Sequence, residues 1–248
     1  MKYLSILFAF AAFSCMNTDK ELTADQIVNK AIAEQCQGNC DHATVQFTFR
    51  DRAYLSMRND GAFQFTRTTQ DSVGVIQDKL SNEGFERMIN DNAVIVPDSM
   101  AARYGESVNS VIYFAQLPYG LNAPAVEKKL LGETTIKEQP YYEVQVTFKE
   151  EGGGTDHDDV FVYWIHKEQM TVDYLAYSYE VNGGGIRFRE AYNERRENGI
   201  RFVDYNNYKP ESLDTPVADL DVLFTQGKLK LLSKIETENV AVTLPSVQ

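Results

Sequence analysis

Two rhythms of apolar and polar residues run along this 248-residue chain. Ala24, Ile27, Val28, Ala31 and Ile32 recur at helical spacing and form one apolar stripe. Thr23 and Gln26 make the capping-box pattern that starts such a helix, and Gly38 suits its end. From position 43 the period becomes two. Val45, Phe47 and Phe49 alternate with Thr44, Gln46, Thr48 and Arg50, which predicts a strand with one buried face. Residues 54–58 resume the pattern, Asp60-Gly61 is a hairpin signal, and Phe63, Phe65, Val73 and Val75 extend a meander of about four strands.

The middle of the chain is helical. After a short strand at 93–96, Asp98 follows Pro97, and Met100, Tyr104, Val108, Val111, Ile112 and Ala115 share one helical face. Gly105 is a point where this helix could divide, and Pro118-Tyr119-Gly120 stops it. Residues 125–131 read as one more helical turn. Strands return at 133: Tyr142, Val144, Val146 and Phe148 alternate, and 160–166, 171–181, 186–195 and 200–208 follow. Asn182-Gly183 and Asn198-Gly199 mark turns between them. A two-residue turn at the second would pair Tyr192 with Tyr205 across the hairpin. A short helix near 217–224 and a last strand near 231–243 complete the chain.

About ten strands joined by tight turns, without long parallel crossovers, exclude α/β barrels and Rossmann folds. The predicted fold is mainly β (α+β): a single strongly curved antiparallel sheet, an open half-barrel, with helices covering its concave side. No Pro- or Ser-rich linker divides residues 23–248, so they read as a single domain.

The first residues set the compartment. Lys2 precedes an apolar run from Tyr3 to Phe13 that is too short to span a bilayer, and Ser14-Cys15 follows. A small residue before Cys after such a run resembles the processing site of bacterial lipoproteins, although Ala12 stands where Leu is usual. Residues 1–14 are then a signal peptide, Cys15 carries the acyl anchor, and 15–22 form a lipidated tether. Met16 rather than Asp resembles the pattern sorted to the outer membrane. The expected location is the outer membrane, facing the periplasm or the cell surface. In an oxidising compartment Cys36 and Cys40 are expected to pair. A zinc site using Cys36, Cys40 and His42 lacks an evident fourth ligand.

Net charge is −12, which argues against nucleic acid and against electrostatic docking on anionic lipid. The chain has no G-x-S-x-G elbow, no phosphate-binding P-loop and no H-E-x-x-H helix. Asp156, His157, Asp158 and Asp159 are the densest polar cluster, but adjacent residues rarely all reach one ion. His157 or His166 with Asp173 would suit a hydrolase, yet no nucleophile is evident. No catalytic residue, metal or cofactor is expected. The aromatic residues are more informative: Phe47, Phe49, Phe63, Phe65, Tyr163, Trp164, Tyr174, Phe188, Tyr192 and Tyr205 fall on successive strands. They either fill a core or line a ligand cavity. Arg187, Arg189, Arg195, Arg196 and Arg201 lie among them, as outer-face ion pairs or as a guanidinium at a cavity mouth.

The element order over residues 22–208 resembles the LolA/LolB-like lipoprotein-carrier fold, an open half-barrel that holds acyl chains. The segments at 156–165 (from Asp156 to Ile165), 173–177 (from Asp173 to Tyr177) and 185–192 (from Gly185 to Tyr192), with Asp204-Tyr205, resemble a family of uncharacterised envelope lipoproteins from bacteria with two membranes. That resemblance implies a location and a fold, and no catalytic residues. The favoured function is binding of an apolar or amphipathic ligand, a lipid or a lipoprotein acyl chain, in a half-barrel cavity. An envelope hydrolase built around His157 and a structural lipoprotein with an envelope protein partner are the alternatives.

Overall fold

The computed structural model describes residues 21–152, 157–180 and 183–245. The signal peptide, Cys15, Asp156 and most of the tether lie outside these residues. Helix α1 (Ala24–Cys36) opens the fold, and its capping box forms between Thr23 and Gln26. Cys36 is joined to Cys40 by a disulfide, with Cα atoms 5.2 Å apart.

Two antiparallel sheets of seven strands follow, fourteen strands in all among the described residues. This corrects the expectation of one sheet of about ten. The first sheet runs through β1 (Thr44–Phe49), β2 (Arg52–Asn59), β3 (Ala62–Asp71), β4 (Gly74–Ser81), β5 (Gly84–Ile89) and β6 (Asn92–Val94) in chain order. After helix α2 (Asp98–Ala115), the second is built from β7 (Val126–Ile136), β8 (Gln139–Phe148), β9 (Val160–His166), β10 (Val172–Tyr179), β11 (Gly185–Glu197) and β12 (Ile200–Lys209). A short helix α3 (Leu220–Thr225) precedes β13 (Lys230–Ile235) and β14 (Thr237–Thr243). β13 pairs with β12 and β14 with β1. The segment expected to be one last strand therefore changes sheet at Glu236, and a single run of chain edges both sheets.

That switch is locked by Asp204, whose side chain is almost fully buried. Its carboxylate accepts from the Thr237 amide at 3.0 Å, from Asn193 Nδ2 at 2.6 Å and from Arg195 Nη2 at 3.2 Å. Arg195 also donates to Thr237 Oγ1 at 2.6 Å. Asn193 sits in a bulge of β11 with φ 52°. The bulge moves the register by one residue, so Tyr192 pairs with Asp204 and Ala191 with Tyr205, instead of Tyr192 with Tyr205.

Local chemistry explains the remaining differences from the sequence reading. Asp60-Gly61 and Asn198-Gly199 are two-residue turns with both φ angles positive, as hairpins of this twist require. Asn90-Asp91 and Lys137-Glu138 adopt the same conformation without glycine. The first defines β5 and β6. The second folds β7 back on β8, so residues 126–136 are a strand and not a helical turn, because pairing overrides their propensity. Helix α2 is continuous through Gly105, where a Cβ would meet Leu80 Cδ1 at 3.3 Å. Glycine lets the helix lie close on the first sheet.

Three apolar clusters hold these parts together. Val108 and Ile112 of α2 bury against Val45, Phe47 and Phe65 of the first sheet. Beside them Asp78 pairs with Arg67 and Arg87, both at 2.6 Å, and Arg67 donates to Ser107 of α2 at 2.8 Å. Ile27, Val28 and Ala31 of α1 bury against Val144, Tyr163 and Leu175 on one face of the second sheet. Leu220 and Phe224 of α3 pack on its other face with Trp164, Tyr174 and Phe188. The helices thus cover both faces of the second sheet, and not its concave side alone.

Asp204→Ala strips the sheet switch of its central acceptor and leaves Arg195 without its carboxylate. A loss of about 3 kcal/mol is expected, seen as a fall in Tm of about 6–12 °C for a chain of this size; an unchanged Tm would show that the switch does not depend on it. Glu143 tests the α3 face. Burial, then the charges of Asp221 and Asp219, raise its carboxyl to about 7. Its folded value lies above its unfolded one, so the stability it contributes is complete in acid and is lost as pH rises through about 7. Glu143→Gln is expected to raise Tm by about 2–4 °C at pH 8 and to leave it unchanged at pH 4; equal shifts at both pH values would contradict this.

Candidate functional site

The groove of interest lies where the two sheets meet. α2 forms one wall, with Ser110, Val111, Phe114 and Ala115. β12 and β13 form the other, with Val203, Tyr205, Asn207, Ser233 and Ile235, and Phe49, Arg50 and Thr237 close the end next to the sheet switch. The cavity measures about 300 Å³, at the lower end of the roughly 300–1,000 Å³ of small-molecule sites. Its lining is mainly apolar, with hydroxyl, amide and guanidinium groups at a few points.

Arg189 is the charged residue of its inner wall. It lies opposite Asn207 in the β11–β12 ladder and is 8% exposed. Its Nη2 donates to Tyr177 Oη at 2.7 Å, and its guanidinium lies 4.0 Å from the centre of the Phe114 ring. Its Nε has no hydrogen-bond acceptor. Asn207 donates to Ser233 Oγ at 3.2 Å, while its Oδ1 is buried without a partner. Burial pushes the Tyr163 and Tyr205 hydroxyls up, so neither phenol supplies a counter-charge near neutral pH.

The aromatic residues singled out in the sequence separate into distinct places. Phe49 and Tyr205 line the groove. Phe47, Phe63 and Phe65 pack within the first sheet's core, where Phe47 stacks on Tyr54 at 5.3 Å. Tyr163 is buried beneath α1, with no exposed surface. Trp164, Tyr174 and Phe188 lie on the opposite face of the second sheet under α3. Tyr192 is turned away by the bulge and donates to Glu236 at 2.6 Å. The helix stripe and the arginine-rich strands were the sequence signals for Val111 and Arg189; nothing local marked Asn207, Val203 or Ile235 as neighbours of either.

The described polar residues singled out in the sequence take the following contacts. His166 Nδ1 accepts from the amides of Glu168 and Gln169, both at 3.2 Å, so this ring holds a turn and its Nδ1 lone pair is occupied. Asp173 receives Arg201 at 3.3 Å and Tyr141 at 3.2 Å. His157 Nε2 lies 3.6 Å from an exposed Asp158 carboxylate. Among the described residues no group of three or more His, Cys, Asp or Glu is placed to hold a metal ion. No described helix is long and apolar enough to cross a membrane.

A DUF1329-family protein from Desulfovibrio piger has a similar fold, with a TM-score of 0.54 at 10% identity over 88% of this chain and 92% of that one. A LolA-superfamily protein from Nitrosomonas europaea is similar over 92% of this chain and 96% of that one, with a TM-score of 0.49 and 12% identity. No curated protein matches. A family model does: residues 2–237 match DUF6503, a family of unknown function, and the chain belongs to that family.

Proposed function

We propose that this is a lipid-anchored envelope protein that holds an apolar or amphipathic molecule, a lipid or a single acyl chain, in the groove between its sheets. The observation that carries the reading is the cavity of about 300 Å³ between α2 and β12–β13, walled by Val111, Phe114, Val203 and Ile235. Each methylene transferred there from water contributes about 0.8 kcal/mol. The volume suits one chain with a small head, rather than several chains at once. Phe49 and Tyr205 are the ligand-binding aromatics in this reading. Anchoring follows from the short apolar leader and Cys15, with residues 15–22 as tether and 23–248 as one domain on the periplasmic or outer surface of the outer membrane.

Ala115→Trp places an indole at the groove wall. Relative to the unsubstituted protein it is expected to weaken decanol binding, followed by native mass spectrometry or calorimetry, at least about tenfold, with an unchanged far-UV spectrum. Failure of the unsubstituted protein to bind decanol would remove the reading. Cys15→Ser is expected to move the protein from the membrane fraction to the soluble fraction and to abolish the acyl increment in its intact mass; membrane retention of the variant would exclude this anchor.

A further inference from the structure

The groove is cationic in an acidic protein. The chain carries a net charge of −12, yet Arg189 and Arg50 line the groove and no Asp or Glu does. Charges are almost never buried without a partner, because desolvation costs far more than an apolar setting returns. Each other buried arginine has its carboxylate: Arg67 has Asp78 at 2.6 Å, and Arg201 has Glu194 at 2.7 Å. Arg189 is as buried as these, and among the described residues it makes no ion pair. Aromatic rings surround it instead: Phe114 at 4.0 Å, Tyr177 at 5.1 Å and Tyr205 at 5.9 Å. Rings soften a desolvated charge, but they accept no hydrogen bond from its Nε.

Resting on the groove as the ligand site, we infer that Arg189 selects the ligand's head: an oxyanion, carboxylate or phosphate monoester, on one alkyl chain. The guanidinium fork is matched to such a group, and charge-assisted bonds to it are the strong ones. The alkyl chain then lies against Val111, Val203 and Ile235. Arg50, exposed at the end of the groove with its guanidinium 5.1 Å from the Phe49 ring, adds positive charge there.

The test compares ten-carbon probes that differ only in the head, with the full-length protein at pH 7.5. Decanoate is expected to bind at least about tenfold more tightly than decanol, and decyltrimethylammonium more weakly than either. Arg189→Met is expected to bring the ratio of decanoate to decanol affinity close to one, and Arg189→Lys to keep part of the preference. Equal binding of decanoate and decanol overturns the inference while leaving the groove as an apolar site; binding of neither overturns the groove reading itself. If Arg189→Met does not fold, the ratio in the unsubstituted protein still decides. Decyl phosphate separates the two heads: tighter binding than decanoate assigns a phosphate ester, and weaker binding a carboxylate.

Discussion

One buried carboxylate sets the shape of this protein. Asp204 gathers the Thr237 amide, Asn193 and Arg195 at the point where the chain leaves one sheet for the other. Without a lock there, a strand of fourteen residues would continue straight along β12. With it, β13 stays in the second sheet and β14 joins β1, so the two ladders do not extend each other. Side chains on either side of the break cannot interdigitate as they do within one sheet, and space remains between them. α2, held to the first sheet by Val108, Ile112 and the Ser107–Arg67 bond, roofs that space. The groove is thus a consequence of the sheet switch.

The same geometry sorts the charges. Arg67 and Arg201 are neutralised by neighbouring carboxylates and hold the elements in place. Arg189 is carried on the strand beside the switch, its face covered by Phe114 and one edge left without an acceptor. Keeping such a residue lowers stability relative to an apolar one of similar size. That cost is understandable at a site whose partner comes from outside. The chain carries a net charge of −12, while the groove between α2 and β12–β13 bears the opposite sign.

Much of the architecture was legible in the residues. The capping box of α1, the stripe of α2, the alternation in β1 and β8, and the Asp60-Gly61 and Asn198-Gly199 turns are local signals with local causes. β5 and the first half of β7 were missed because their turns use Asn90-Asp91 and Lys137-Glu138, which lack the glycine that usually marks such a turn. The division into two sheets was not legible at all. It depends on a one-residue bulge at Asn193 and on contacts between positions 204 and 237, and no periodicity reports either. The groove shared this fate: its aromatic wall was sought on every strand, but alternation places Trp164, Tyr174 and Phe188 on the face under α3 and leaves Phe49 and Tyr205 inside.

The most direct measurement is a crystal structure with 10-bromodecanoate, whose halogen is located by anomalous scattering. The expected result is a single bromine site between Val111 and Val203, with the carboxylate on Arg189. A groove closed by its own side chains, or bromine only on the outer face under α3, would contradict the account.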